Sequence, residues 1–148
     1  MNELTVNFKK VKEDAIVPTR GSKGAAGLDL YACIDEDIHI NPGCKKKIPT
    51  GIAMKLNPNT FGMIVPRSGL STKEDLANIN APGICDEDYV GELIVALHNY
   101  GGQIRVVHPQ ERIAQLLVLP YYTVNLNEVD ELEETERGDG GFGSTGKY

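Results

Sequence analysis

Apolar and polar positions alternate along this chain in short runs, and most runs stop at glycine, proline or asparagine. The runs Leu4–Phe8, Leu28–Ala32, Asp37–Ile40, Ile52–Leu56, Gly62–Val65, Leu93–His98, Ile113–Leu119 and Thr123–Leu126 predict β-strands. Ile38-His39-Ile40 and Val124-Asn125-Leu126 show the period of two that puts one strand face on a core and the other in water. Asn41-Pro42-Gly43, Pro49-Thr50-Gly51 and Asn57-Pro58-Asn59 read as turns between the runs. One segment breaks this pattern. Ser71-Thr72-Lys73-Glu74 fits a capping box and predicts a single short helix over Thr72–Ala77, with Ser71 capping its first turn. Many short strands with frequent turns predict an all-β sandwich or barrel-like domain.

Length and charge sharpen that picture. A chain of 148 residues suits one domain that buries a core without disulfides. The net charge is −6, and Glu128–Glu136 holds six acids and no base, so the rest of the chain is balanced. There is no basic excess to neutralise a nucleic-acid backbone. Lys45-Lys46-Lys47 reads as a solvated strand edge or turn. No apolar run approaches the roughly 18 residues that span a bilayer. The first ten residues lack the long apolar stretch of a secretory signal. Cys33, Cys44 and Cys85 are odd in number and far apart, which fits a reducing compartment rather than a disulfide framework. His39, His98 and His108 form no HExxH pair, and no spacing calls for zinc. An intracellular, cytoplasmic protein without nucleic-acid or membrane partners is expected, with a viral origin as open as a cellular one.

The C-terminal part divides the chain into a β-rich domain over 1–127, an acidic tether over 128–136 and a glycine-rich arm over 137–148. The arm has five glycines in twelve residues and cannot hold a regular element alone. It also carries Arg137 and Phe142, which suggests an arm that orders on a ligand. Two phosphate-loop patterns match it by accident. Gly138–Gly143 fits GxGxxG and Gly141–Lys147 fits GxxxxGK. Both patterns need a helix to follow, and none is expected here. Tyr148 stands where the second pattern needs a hydroxyl for magnesium. What remains are flexible N–H groups, two hydroxyls and an arginine that could wrap an anion.

Four internal segments carry the remaining chemistry. Ala25–Leu30 places Asp29 in an apolar run, where aspartate is a poor strand former. Pro66–Ser71 precedes the helix, where N–H groups could meet an anion. Asn80–Gly91 holds Asp86, Glu87 and Asp88 in a hairpin-like segment, and Glu87 and Asp88 read as exposed acids of its tip. Pro109–Gln115 ends in Arg112-Ile113-Ala114-Gln115. Together with the arm, in this order, these segments resemble the five motifs of the trimeric dUTPases, from about Ala25 to Gly146.

The resemblance implies a distorted jelly-roll-like (β-clip) subunit, assembled as a threefold homotrimer with exchanged C-terminal arms that close neighbouring sites. It implies hydrolysis of dUTP to dUMP and pyrophosphate, limiting uracil in DNA and supplying dUMP for dTMP synthesis. By the same resemblance Asp86 activates the attacking water, and Arg67, Ser68, Gly69 and Gln115 lie along the phosphates. Asn80 and the backbone of Gly83, Ile84 and Cys85 read the uracil edge. Tyr89 packs under the deoxyribose and Phe142 stacks on the base. Arg137, Gly143, Ser144 and Thr145 wrap the phosphate end, with Mg2+ on the triphosphate and Asp29 reaching it through water. Two positions depart from the usual pattern. Pro109-Gln110 replaces Pro-Gly, suggesting a type I turn or strain. Cys85 replaces an aliphatic residue and is expected to be a buried, inert thiol. The alternatives are a dCTP deaminase or bifunctional deaminase/dUTPase of the same fold, and a non-catalytic nucleotide-sensing trimer. The glycine-rich arm with Phe142 and the Pro66–Ser71 segment argue against the first, and the intact Asp86 and Arg137–Gly146 against the second.

Overall fold

The computed structural model describes residues 3–141. Ten strands and one helix follow in the order β1 (Asn7–Lys10), β2 (Leu28–Tyr31), β3 (Ile38–Ile40), β4 (Lys45–Lys55), β5 (Thr60–Val65), α1 (Ser68–Lys73), β6 (Leu76–Asn78), β7 (Gly83–Cys85), β8 (Glu92–Asn99), β9 (Arg105–Val107) and β10 (Arg112–Pro120). One four-stranded sheet runs β1-β4-β8-β6 and another β2-β10-β5-β7, while β3 and β9 form a separate ribbon. All of these pairs are antiparallel. The expected all-β, jelly-roll-like architecture with one short helix is what the described residues form.

Alternation drives the packing. In β8, Leu93, Val95, Leu97 and Asn99 point inward and Ile94 outward. Ile48, Ile52 and Leu97 of one sheet, Leu30, Ile113 and Leu116 of the other, and Ile40 and Val107 of the ribbon share one core. Burying such side chains contributes about 1.5–3 kcal/mol each. Lys45-Lys46-Lys47 is the exposed start of β4, paired there with β8 alone, as a solvated edge requires.

The local differences that bear most on the fold lie in three places. Pro49-Thr50-Gly51 is not a turn but a bulge inside the eleven residues of β4, where its register on β8 shifts. Thr50 Oγ1 donates to Leu93 O at 2.7 Å and Gly51 N to Glu92 Oε1 at 2.7 Å, so long-range partners hold the chain through the irregularity. Gly51 has φ +68, and a Cβ there would lie 2.5 Å from Ala15 Cβ. The helix spans Ser68–Lys73 rather than Thr72–Ala77. Ser71 is inside it, and its hydroxyl donates back to Arg67 O at 3.1 Å instead of capping. Asp75 takes φ 54 and ends helical geometry, which frees Leu76–Asn78 to pair with β8. Finally, Thr123–Leu126 joins no strand among the described residues, and Val124 and Leu126 are 70% and 95% exposed.

Candidate active site

Three strands of the second sheet align the polar residues that the sequence singles out. Asp29 on β2 faces Gln115 on β10, and Gln115 faces Val65 on β5. In-register residues share a face, so Asp29 and Gln115 lie side by side. The chain leaves β5 through Pro66 into Arg67 and then α1, which places Ser68 and Gly69 beside the same row. These residues line a cavity of about 240 Å³ with Gly27 and Arg112.

Asp29 is 9% exposed, so its charge needs partners. Arg67 Nε donates to Asp29 Oδ1 at 3.0 Å, and Arg112 Nη1 to Asp29 Oδ2 at 3.2 Å. Arg67 Nη1 also donates to Arg112 O at 3.1 Å. One carboxylate therefore aims two guanidinium groups at one cavity, which is a geometry suited to phosphate oxygens. Arg112 was not among the expected site residues, because its partner lies 83 positions away in sequence. Gln115 Nε2 donates to Pro66 O at 3.0 Å. A Cβ on Gly27 would lie 2.5 Å from Gln115 Oε1 and 3.2 Å from Gln115 Cβ, so a side chain there would push Gln115 out of its place.

The donor set also defines what cation it suits. No cluster of three or more His, Cys, Asp or Glu side chains could hold a metal among the described residues. Each oxygen of Asp29 already accepts from one arginine, which leaves about one lone pair on each for water. The site fits a water-mediated contact to a cation carried on phosphate oxygens, and does not fit a direct protein cage.

A second cavity, of about 220 Å³, opens on the other side of β5. It is walled by β7, the last strand of its sheet, where Ile64 faces Gly83 and Gly62 faces Cys85. The outer edge of β7 presents main-chain groups that no described strand takes. Asn80, Ile84, Asp86 and Tyr89 line the same cavity. Tyr89 Oη donates to Glu92 O at 2.9 Å, which holds the ring against the wall. Asn78 also lines it, with Nδ2 on Ile64 O at 3.0 Å and a buried Oδ1 that has no partner. A buried acceptor in a cavity wall calls for a donor. Sequence reasoning missed Asn78, because the expected helix ran to Ala77 and the strand that carries Asn78 was not foreseen.

Asp86 is exposed and directly follows β7. Its carboxylate makes no hydrogen bond or ion pair among the described residues. Cys85 is buried, and burial, followed by the charge of Asp86, pushes its thiol above the ordinary range. That suits the expected inert thiol. Glu87 departs from expectation. It is half-buried and engaged, whereas Asp88 is exposed. Arg137 has a local bond, Nε to Gly140 O at 2.9 Å. Phe142, Gly143, Ser144 and Thr145 lie outside the described residues. Within the described residues, then, the expected site residues other than Arg137 line two cavities, one on the second sheet and one between β7 of that sheet and β6 and β8 of the first, and Arg137 lines neither.

Known proteins resemble this chain in sequence and in fold. The dUTPase family model matches residues 13–146. The chain is 42% identical over 146 residues to a deoxyuridine 5'-triphosphate nucleotidohydrolase of Syntrophotalea carbinolica, covering 99% of both. It is 46% identical over 141 residues to one of Clostridioides difficile, covering 95% of this chain and 97% of that one. A solved dUTPase of Staphylococcus bacteriophage 80alpha with dUPNHPP superposes with a TM-score of 0.83 at 28% identity, over 96% of this chain and 98% of that one. A mutant dUTPase from phage phi11 of S. aureus, described with a coordinated structural Mg(II) ion, gives 0.77 at 25% identity, over 88% and 100%.

Proposed function

The chain belongs to the dUTPase family, whose reaction is hydrolysis of dUTP, and from that premise we propose how its residues carry the reaction. The observation that supports the reading most is the continuity of β7 with Asp86. A base-reading strand edge and a free carboxylate are consecutive in the chain, so a nucleotide held by the edge has its α-phosphate near a general base.

The uracil lies in the β7 cavity. Asn80 and the main chain of Gly83, Ile84 and Cys85 bond its edge. Cytosine reverses a donor and an acceptor there, and the buried groups left unpaired make the discrimination steep. Tyr89 fills the space beneath the sugar where a 2′-hydroxyl would sit. Arg67, Ser68, Gly69 and Gln115 meet the phosphates, with Asp29 fixing Arg67. Asp86 accepts a proton from the water that attacks the α-phosphate, and pyrophosphate leaves. The substrate is the magnesium complex of dUTP, and the cation neutralises charge on the phosphates. Asp29 would accept from one of its bound waters on the lone pairs its arginines leave.

The two cavities of one subunit are completed by neighbours in a homotrimer. The acidic tether over 128–136 carries the arm across. Arg137, Ser144 and Thr145 then wrap the phosphates, with Gly143 leaving room for them, and Phe142 covers the base. The decisive measurement is pyrophosphate release from dUTP, dCTP, dTTP and UTP, with and without magnesium, for the native chain and Asp86→Asn. We expect release from dUTP alone. We expect Asp86→Asn to bind dUTP nearly as the native chain does and to turn over about 10²–10⁴-fold more slowly. Comparable turnover in the variant would remove Asp86 as the base. Ammonia release from dCTP would point to the deaminase instead.

A further inference from the structure

We propose that Glu87 is a positioning residue for Asp86, acting through a latch that joins the Asp86 turn to the β4–β5 turn and to the end of β10. The inference rests on the reading of Asp86 as the base and extends it to a residue outside both cavities. Asp86 has no side-chain partner among the described residues, so its aim depends on the backbone that carries it. On one side that backbone is fixed by the β7 ladder on β5. On the other side stands the turn Asp86–Tyr89, closed by a single bond from Tyr89 N to Asp86 O at 3.1 Å. One bond of that length at an exposed turn is weak restraint.

Glu87 supplies the rest. Its Oε2 accepts from Asn59 N at 2.6 Å, a short, charge-assisted bond. Its carbonyl accepts from Lys55 Nζ at 2.8 Å, at the end of β4. Asn59 is itself held on both sides, because Tyr121 N donates to Asn59 O at 3.1 Å. Glu87 thus takes a side chain from the end of β4 and a main-chain N–H from the β4–β5 turn, and through Asn59 it is linked to the segment that leaves β10. Asp88, the other acid of the turn, makes no such bond among the described residues. The two acids look alike in sequence and differ in what they hold.

The test is steady-state hydrolysis of magnesium dUTP by the full chain, far below the unfolding temperature, with folding followed by circular dichroism. A misaimed catalytic group can cost up to about 10²-fold without touching substrate binding. Glu87→Ala is expected to lower kcat about tenfold or more and to leave KM within about twofold. Glu87→Gln keeps an oxygen for Asn59 N–H and is expected to restore kcat to within about threefold. Asp88→Ala is expected to match the native chain. The discriminating measurement is a double-mutant cycle. In an Asp86→Asn background, Glu87→Ala is expected to cause no further loss. Should Glu87→Ala fail to fold, Lys55→Met, which removes the donor to the Glu87 carbonyl, carries the same cycle, with a smaller fall in kcat that also vanishes in Asp86→Asn. Unchanged kcat in the Glu87 or Lys55 variant, or an equal further loss without Asp86, overturns the proposal. Full turnover in Asp86→Asn alone would instead overturn the general-base reading, and this one with it.

Discussion

Gln110 holds a conformation that its side chain disfavours. Its φ is 63, in the left-handed region, which costs a residue with a Cβ about 1–2 kcal/mol. Pro109 precedes it, and Glu111 N donates to His108 O at 3.2 Å, so the turn has the proline and positive φ of type II. Of the two readings the sequence left open, strain is the one realised. The surroundings compensate through paired bonds at 2.8 Å, Gln110 N to Ala32 O and Ala32 N to Glu111 O. Gln110→Gly removes the strain and adds freedom to the unfolded chain, so a net gain of about 0.5–1 kcal/mol is expected. That is a rise of roughly 2–4 °C in thermal midpoint at fixed protein concentration. A fall would mean that the Gln110 side chain makes a contact worth more than the strain. The position was visible in the sequence because a departure from Pro-Gly is a local signal. Arg112 and Glu87 were not, because their partners Asp29 and Asn59 are 83 and 28 residues away. Nothing near either residue encodes that pairing.

Elements were legible where one strand buries one face, as β8 does, and blurred where tertiary bonds override local preference. Pro49-Thr50-Gly51 has turn composition, yet it stays in β4 because Leu93 O and Glu92 Oε1 take its polar groups. Leu76–Asn78 has helical neighbours, yet an edge on β8 gives its backbone better partners. Thr123–Leu126 has strand periodicity, but a strand needs a neighbour as well as a pattern. The β3–β9 ribbon was half visible: β3 was read from its period and the three residues of β9 were too few. An ion pair closes its end, His108 Nδ1 to Asp37 Oδ1 at 2.8 Å. The hydrogen bond to Asp37, and then the charges of Asp37 and Glu111, raise the His108 pKa. A raised histidine favours the folded state below its ordinary value near 6.5, and loses that advantage as pH climbs through the raised one. The native chain should therefore lose slightly more thermal stability between pH 6 and 8.5 than His108→Gln. Both partners are exposed, so the difference is at most about 2 °C and shrinks in high salt. An identical pH profile in the variant would show that the pair adds nothing.

At the scale of the whole molecule the question is what the last part of the chain does. The excess negative charge is confined to Glu128–Glu136, and the substrate is a polyanion. The cavity proposed for the phosphates is lined by Arg67 and Arg112, on the balanced part of the chain, which would keep that repulsion away from it. Beyond β10, Tyr122, Leu126 and Leu132 are 94%, 95% and 87% exposed, which is apolar surface that a lone subunit leaves in water and an assembly would cover. Those residues precede Arg137, so assembly and site closure should be separable in the chain. Deleting Arg137–Tyr148 removes the arm's guanidinium and aromatic ring but keeps every strand and every one of those apolar side chains. Light scattering on the truncated chain is expected to give the mass of a trimer, while dUTP hydrolysis falls by about 10²-fold or more, as loss of groups that position phosphate and exclude water requires. A monomeric product would assign the arm a scaffold duty that its glycine content argues against. An active trimer would place the phosphate contacts elsewhere, with Arg112 the first residue to examine because it already faces Arg67 across Asp29.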